Sequence, residues 1–498
     1  MFSKVLVANR GEIAVRILRT LRELGLASVA VCSDVDREAL HARLADETVG
    51  LGDPRPAASY LDIAKLLDAA RRTGAQAIHP GYGFLAENPE FARRVADAGL
   101  VFIGPSADAL ARLGNKTAAR RTMRGVGVPI IPGLDAPESD PRRLADAAER
   151  LGYPVLVKAA AGGGGKGMRV AASPAELQEA AEAAAGEAAS SFGDGAIYLE
   201  KYLDRPRHVE FQILADAHGN VVHLFERECS IQRRHQKLVE ETPSPALDEE
   251  LRERMGRAAV AAARAAGYVN AGTVEFLLVG RDFYFLEVNA RIQVEHPITE
   301  LLTGLDLVRC QLEIAAGTPL PFRQEDVGRR GHAIECRVYA EDPQRGFAPS
   351  PGRILLARLP AGPGVRCDAG IFTGAEVPVY YDPILAKVAV HAPDRPAAVA
   401  RLVRALEECV VLGVATPIEL LLEVVRSEPF AAGRTHTRFL DEHFPDWRPA
   451  DSADDPALVG FVLDRLAGGT GATGAAATPD VPDVSSPWRR LGAWGRSA

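Results

Sequence analysis

The sequence predicts an α/β protein that opens as a doubly wound parallel sheet and continues into α+β regions, first antiparallel and then mixed. Three observations predict this. Strand-like and helix-like runs alternate through the first 115 residues. From Pro154 the order becomes strand, glycine-rich loop, strand. From His208 to Glu295 several short strands surround a single helix.

The elements follow in order. VLVA (Val5 to Ala8) is a buried-strand run, and IAVRILRTLRELG carries apolar residues at helical spacing before a glycine stop. SVAVC, AQAIHP and LVFIG repeat the strand signal, each separated by a helical stretch. The first strand–helix turn, ANRGEIA, has one glycine where a dinucleotide fingerprint needs three, which argues against a nicotinamide or flavin site. VLVKAAAGGGGKGMRV then reads as a hairpin closed by a long glycine turn, followed by an Ala- and Glu-rich helix (Ser173 to Ala189) and the strand AIYLEKYL. The helix of the antiparallel region is Leu251 to Ala266, and HAIECRVYAEDP starts a mixed region that runs to about Phe444. Beyond it, Pro456 to Ala467 fits one short amphipathic helix, and Gly468 to Pro487 has the composition of a flexible linker.

Length and composition set outer bounds. At roughly 100–200 residues per domain, 498 residues allow about three domains. With 47% hydrophobic and 25% charged residues, the composition is that of an ordinary globular protein. A net charge of -8 argues against a nucleic-acid partner, which needs a basic surface. No stretch approaches the roughly 20 apolar residues of a membrane span. The run VLVA is too short for a signal peptide, and the six cysteines are scattered without metal-ligand spacing. These features lead us to expect a cytoplasmic protein in a reducing compartment.

Three segments carry candidate chemistry. In FYFLEVNARIQVEH, Glu287, Asn289, Arg291, Gln293 and Glu295 occupy every second position, so an extended chain places all five on one face. Periodicity alone also fits a half-buried strand with a solvated outer face. A carboxylate, amide, guanidinium, amide, carboxylate series is unusual for such a face, however, and Glu275 in TVEFLL lies within hairpin reach. Two glutamates and an Asn carbonyl are hard oxygen ligands of the kind magnesium takes beside nucleotide phosphates. In GGGGKGM, Gly162 to Met168, the glycines have no steric reason to hold one conformation. Such a loop is either a surface turn or, with Lys158 and Lys166 beside it, a lid whose backbone N–H groups close over phosphates. It is not a Walker loop, since no Ser or Thr follows Lys166. In CSIQRRHQKLVEE, Arg233, Arg234, His235 and Lys237 concentrate positive charge. They form either a solvated run or an anion site facing the carboxylates.

Taken together, these segments resemble the biotin carboxylases of the ATP-grasp superfamily. The resemblance spans Val5 to about Phe444 and includes ANRGEIA, HPGYGFLAEN, FIGP, GNK, YPVLVKAAAGGGGKGM, YLEKYL, PRHVEFQ, SIQRRHQK, GTVEF, EVNARIQVEHPITE, ECRVYAEDP and SPG in that order. It implies a Rossmann-like N-terminal domain over 1–115 and an ATP-grasp domain over 116–329 with a mobile glycine-loop lid at about 131–203. A C-terminal domain over 330–445 and a tail over 446–498 follow. By position, Lys116, Lys158, Gly164, Gly165, Glu200, Lys201, Leu203, His208 and His235 match the family's nucleotide contacts, to which Glu275 and Glu287 add. Glu275, Glu287 and Asn289 match its magnesium or manganese ligands, two ions accompanying ATP. Lys237, Arg291, Gln293 and Val294 match the bicarbonate pocket, Glu295 the general base and Arg337 the residue facing biotin.

The implied reaction is the ATP-dependent carboxylation of biotin by bicarbonate through carboxyphosphate, the first half-reaction of an acetyl-CoA or acyl-CoA carboxylase. YYDPILAK, LGVATPIELL and SPWRRLGAW look like the α-subunits of acyl-CoA carboxylases. No lysine follows Lys387, so biotin is expected on a separate carrier protein, with carboxyltransferase subunits as further partners and a homodimer as the family's assembly. Two other readings compete. One is an ATP-grasp carboxylate–amine ligase of the carbamoyl-phosphate type, which would not be expected to combine RHQK with RIQVEH. The other is a non-catalytic scaffold subunit, which would require lost ligand positions.

Overall fold

The run Val5–Val7 is wholly buried because its strand has neighbours on both sides and helices on both faces. In the computed structural model this strand, β1 (Lys4–Val7), pairs in parallel with β2 (Ala27–Ser33) and β4 (Ala77–His79). With β3 (Glu47–Gly52) and β5 (Val101–Phe102) the sheet order is β3-β2-β1-β4-β5. Helix Gly11–Glu23 buries Ile13, Ala14, Ile17, Leu18 and Leu21, the stripe that the spacing predicts. β3 is the strand that the sequence reading misses. Its segment ETVGLG lies at a sheet edge, is largely exposed and has no apolar run.

The structure describes residues 2–449 apart from 115, 135, 160–167, 193, 194 and 235, and apart from the side chains of 116, 117, 191 and 192. Gly164, Gly165, Lys166 and His235, the side chain of Lys116, and the tail segments 456–467, 468–487 and 486–494 therefore lie outside the described residues. Residues Met1–Trp447 form one unit; of the second, Arg448–Ala498, only the first two residues are described.

The glycine run is flanked as expected by an antiparallel pair, β6 (Val155–Ala159) and β7 (Met168–Ala171), and β8 (Ile197–Lys201) lies on the other side of β6. Helix Pro174–Phe192 covers this three-stranded sheet. The antiparallel region is built from β9 (Arg207–Ala215), β10 (Val221–Arg233), β11 (Gln236–Thr242), β12 (Asn270–Val279) and β13 (Asp282–Asn289). β14 (His332–Tyr339) and the strands Ile384–Ala392 and Val365–Ala369 extend the same sheet to eight strands, in the order β13-β12-β9-β10-β11-β14 and then those two. All these pairings are antiparallel. Helix Glu249–Ala265 packs Met255, Ala259, Ala262 and Ala263 with Phe211 and Phe276 of the sheet. Among the described residues no helix is long and apolar enough to cross a membrane.

One expectation is corrected. Strict alternation through Glu295 suggests a single strand from Phe283 onward, but β13 ends at Asn289. The next N–H, of Ala290, donates to Glu87 Oε1 at 2.8 Å instead of to a neighbouring strand. Residues 290–295 then run irregularly into helix His296–Thr303, whose first turn holds Pro297. Ile292 and Gln293 are both buried, so the segment is enclosed on two sides and its polar–apolar alternation does not mark sheet faces.

Candidate active site

The centre of the large sheet carries charge where a core would carry apolar side chains. At one level across the strands, Arg227 of β10 pairs with Glu210 of β9, Glu210 with Glu275 of β12, and Glu275 with Glu287 of β13. The last pairing depends on a bulge. Phe276 faces Phe285 while Glu275 faces Glu287, so Leu286 is the extra residue that brings two carboxylates opposite each other. Like charges directly opposite are destabilising in a sheet unless a cation lies between or beside them. A bulged carboxylate pair with an Asn amide two residues on is a donor set that fits a hard divalent cation.

Lys237 is the hub. Its ammonium is buried and donates to Glu210, to Glu275 Oε1 at 2.8 Å and to Glu295 Oε1 at 2.8 Å. Burial alone would pull its pKa down, but the three carboxylates hold it well above the usual lysine value. Glu275 also accepts from Asn289 Nδ2 at 2.8 Å and Gln293 Nε2 at 2.9 Å, and its Oε2 lies 3.0 Å from His208 Nε2. Burial would push the Glu275 carboxyl up, yet Lys237 and His208 bring it well below the usual range. Glu295 behaves in the same way: against burial, Lys237 and then Arg337 keep it ionised. Arg337 reaches Glu295 Oε2 from Nη2 at 2.9 Å and Glu240 Oε1 from Nε at 2.5 Å. A single carboxylate, Glu295, is thus shared by a lysine on one side and an arginine on the other.

Arg291 leaves this cluster in the opposite direction. Its Nε donates to Glu87 Oε2 at 2.9 Å and its Nη2 to Asn289 Oδ1 at 2.9 Å. Asn289 therefore turns its oxygen toward Arg291 and its amide N–H toward Glu275, and coordinating a metal through that oxygen would mean giving up the Arg291 contact. At the far end, Lys158 Nζ donates to Glu200 Oε2 at 2.9 Å and Arg120 holds the other oxygen. Lys201 donates to the Gly152 carbonyl at 2.7 Å, so the backbone holds its charge.

Most of these residues border one cleft of about 1020 Å³, whose walls also include Asn9, Tyr82 and Tyr381; Glu87, Arg120, Glu210, Arg227 and Glu240 do not line it. Every residue matched by position to the family's site whose side chain is described lines it: Lys158, Glu200, Lys201, Leu203, His208, Lys237, Glu275, Glu287, Asn289, Arg291, Gln293, Val294, Glu295 and Arg337. Of the basic run, Arg234 lines it too, but Arg233 turns away, donating to the Gly346 carbonyl at 3.0 Å and lying over the Phe347 ring. Sequence reasoning misses Arg227, Glu210, Glu87, Arg120 and Glu240. Arg227 is fully buried and donates to Glu210 Oε1, Gln212 Oε1, Thr299 Oγ1, Thr273 Oγ1 and Gln293 Oε1 at 2.6–3.0 Å. The available signal was a charged residue in the middle of an apolar strand, as in HVEFQ and HLFERECS.

Known proteins share this architecture. Three family models match in succession: "Biotin carboxylase, N-terminal domain" over residues 1–110, "Carbamoyl-phosphate synthase L chain, ATP binding domain" over 115–323, and "Biotin carboxylase C-terminal domain" over 335–442. A pyruvate carboxylase subunit of Methanothermobacter thermautotrophicus is 54% identical over 443 residues, 89% of this chain and 90% of that one. Biotin carboxylase of Nostoc sp. is 51% identical over 442 residues, 89% of this chain and 99% of that one. Among solved structures, the biotin carboxylase domain dimer of Hydrogenobacter thermophilus 2-oxoglutarate carboxylase, in complex with MgADP, ADP and bicarbonate, superposes with a TM-score of 0.86 at 46% identity. That match covers 91% of this chain and 100% of that one.

Proposed function

The chain belongs to the biotin carboxylase family, and from that premise we propose that the cleft carboxylates biotin with bicarbonate and ATP along the line Lys158–Lys237–Glu295–Arg337. The observation that carries this division of labour is Glu295, bound at once by Lys237 and Arg337. Bicarbonate is a poor nucleophile and must be held in line with the γ-phosphate. Arg291, fixed by Glu87, supplies a planar fork for it, with Lys237, Gln293 and Val294 completing the pocket. Lys158, together with Glu200, Lys201, Leu203, His208, Lys116 and His235, serves the nucleotide. Glu275, Glu287 and Asn289 would hold magnesium, or manganese in its place, which neutralises charge on the phosphates. The carboxyphosphate formed is labile in water, which gives a lid carrying Gly164 and Gly165 its purpose.

The second half of the reaction needs a base and a cation. Glu295 is ionised and takes the proton that originates on the weakly acidic ureido nitrogen, directly or through the bicarbonate. Arg337 lies beside it to stabilise negative charge on the ureido oxygen. Biotin arrives on a carrier protein, carboxyltransferase subunits take the product onward, and the working form is a homodimer like that of the Hydrogenobacter domain. A cytoplasmic setting agrees with the six free cysteines. The match of the central domain to the carbamoyl-phosphate synthase model is common ground with that rival, and the two flanking domains distinguish them. The test is bicarbonate-dependent ATP hydrolysis with free biotin as the variable. Stimulation by biotin is expected, and ATP hydrolysis indifferent to biotin would refute the reading.

A further inference from the structure

Behind Arg337, β11 and β14 place Glu240 and Glu335 directly opposite each other. Both are fully buried. Glu240 Oε1 accepts from Arg337 Nε, but Glu240 Oε2 and both oxygens of Glu335 have no hydrogen-bond partner among the described residues. Two adjacent carboxylates out of contact with water cannot both stay ionised, because desolvation and mutual repulsion add.

The charged neighbours on every packed element are already engaged. On the strand Ile384–Ala392, Lys387 donates to the Val294 carbonyl at 2.9 Å and lies 3.0 Å from Glu12 of helix Gly11–Glu23. On Val365–Ala369, Arg366 is held by Asp368 and by Glu300 of helix His296–Thr303. On that helix, His296 Nδ1 contacts the Gln293 carbonyl. Toward the other face of β14, His332 and Arg395 both bind Glu241. Glu295 adds only negative charge. Burial accordingly pushes the Glu335 carboxyl well above its ordinary range and Glu240 up to about 7, against the pull of Lys387 and Arg337 respectively.

We propose that Glu335 carries a proton that it shares with Glu240 across the β11–β14 pair, and that the pair positions Arg337. The Glu335 hydroxyl donates to Glu240 Oε2, leaving one negative charge to grip Arg337 Nε and keep Nη2 aimed at Glu295. Loss of the proton sets a second anion behind Arg337 and draws the guanidinium back from the cleft. The functional half of this inference rests on the reading of Arg337 as the residue facing biotin; the protonation half does not.

Infrared spectroscopy of the wild-type protein at about pH 7.5 is expected to show a buried protonated-carboxyl band that E335Q removes, well above the pH at which an ordinary glutamate keeps its proton. In kinetics, E335A should lower biotin-dependent kcat about tenfold with the KM for ATP unchanged. The wild type should show a fall in kcat at alkaline pH as the shared proton is lost; E335Q, whose amide can donate to Glu240, should recover to within about threefold and lack that fall. A wild-type spectrum without such a band, or an E335Q enzyme as impaired as E335A and with the wild-type alkaline limb, overturns the proposal. If the wild type shows no biotin-dependent turnover, the reading of Arg337 fails while the infrared experiment still decides the protonation.

Discussion

Glu87 accepts from two consecutive residues of the segment 290–295, the backbone of Ala290 and the guanidinium of Arg291. It fixes a side chain that would otherwise swing on several rotatable bonds into an open cleft. This makes Arg291 a preorganised fork, and the contribution of each partner can be separated. Arg291→Ala should abolish biotin-dependent turnover while calorimetric ATP binding stays largely intact, and Arg291→Lys should not rescue it, because a point charge cannot reproduce two parallel hydrogen bonds. Glu87→Gln keeps one acceptor and loses the charge, so the KM for bicarbonate should rise about tenfold with little change in the KM for ATP. Normal carboxylation by Arg291→Ala would remove Arg291 from the pocket, and an unchanged bicarbonate KM in Glu87→Gln would reduce Glu87 to a structural contact.

At the level of strands, the bulge at Leu286 decides where charge meets charge. Regular pairing would set Leu286 opposite Glu275; the extra residue sets Glu287 there instead. Glu275→Gln and Glu287→Gln should therefore share a phenotype, a half-saturating magnesium concentration raised about tenfold or more, since each removes one hard ligand from one place. Unchanged magnesium titrations would take both out of the metal site. This feature also shows what the sequence reveals. The alternating polar residues of 287–295 and the Glu275 strand are legible because residue type alone marks them. The bulge, the end of β13 at Asn289 and the turn into helix His296–Thr303 are not, because they depend on who takes the Ala290 N–H, and Glu87 lies 203 positions earlier. The parallel core strands show in their apolar runs, whereas β3 does not, since an exposed edge has nothing to bury. Arg227 stays hidden for the opposite reason. Its partners come from β9, β12, the 290–295 segment and helix His296–Thr303, and nothing in the sequence near it records them.

Over the whole molecule, helix Gly11–Glu23, the strand Ile384–Ala392 and the segment 290–295 meet at one buried lysine. Lys387 holds the Val294 carbonyl at 2.9 Å and Glu12 at 3.0 Å, and both charged side chains are completely enclosed. Replacing Lys387 by Met keeps the volume but strands Glu12 as a lone buried acid and frees the Val294 carbonyl. A loss of about 3–5 kcal/mol is expected on breaking such a pair from one side, together with a raised KM for bicarbonate. The pH dependence follows from Glu12, whose carboxyl is pushed up to about 7 by burial despite Lys387. Between the ordinary carboxyl range and about pH 7 the folded protein keeps a proton that the unfolded chain releases. The unfolded state thus binds fewer protons, and stability falls as pH rises through that window, by on the order of 3 kcal/mol for this group. Glu12→Gln removes that share of the slope. Chemical denaturation at a series of pH values should show the variant gaining on the wild type from about pH 4.5 to 7 and then running parallel to it. If the two lines stay parallel throughout, Glu12 is ionised in the folded protein and the link between the domains is an ordinary ion pair.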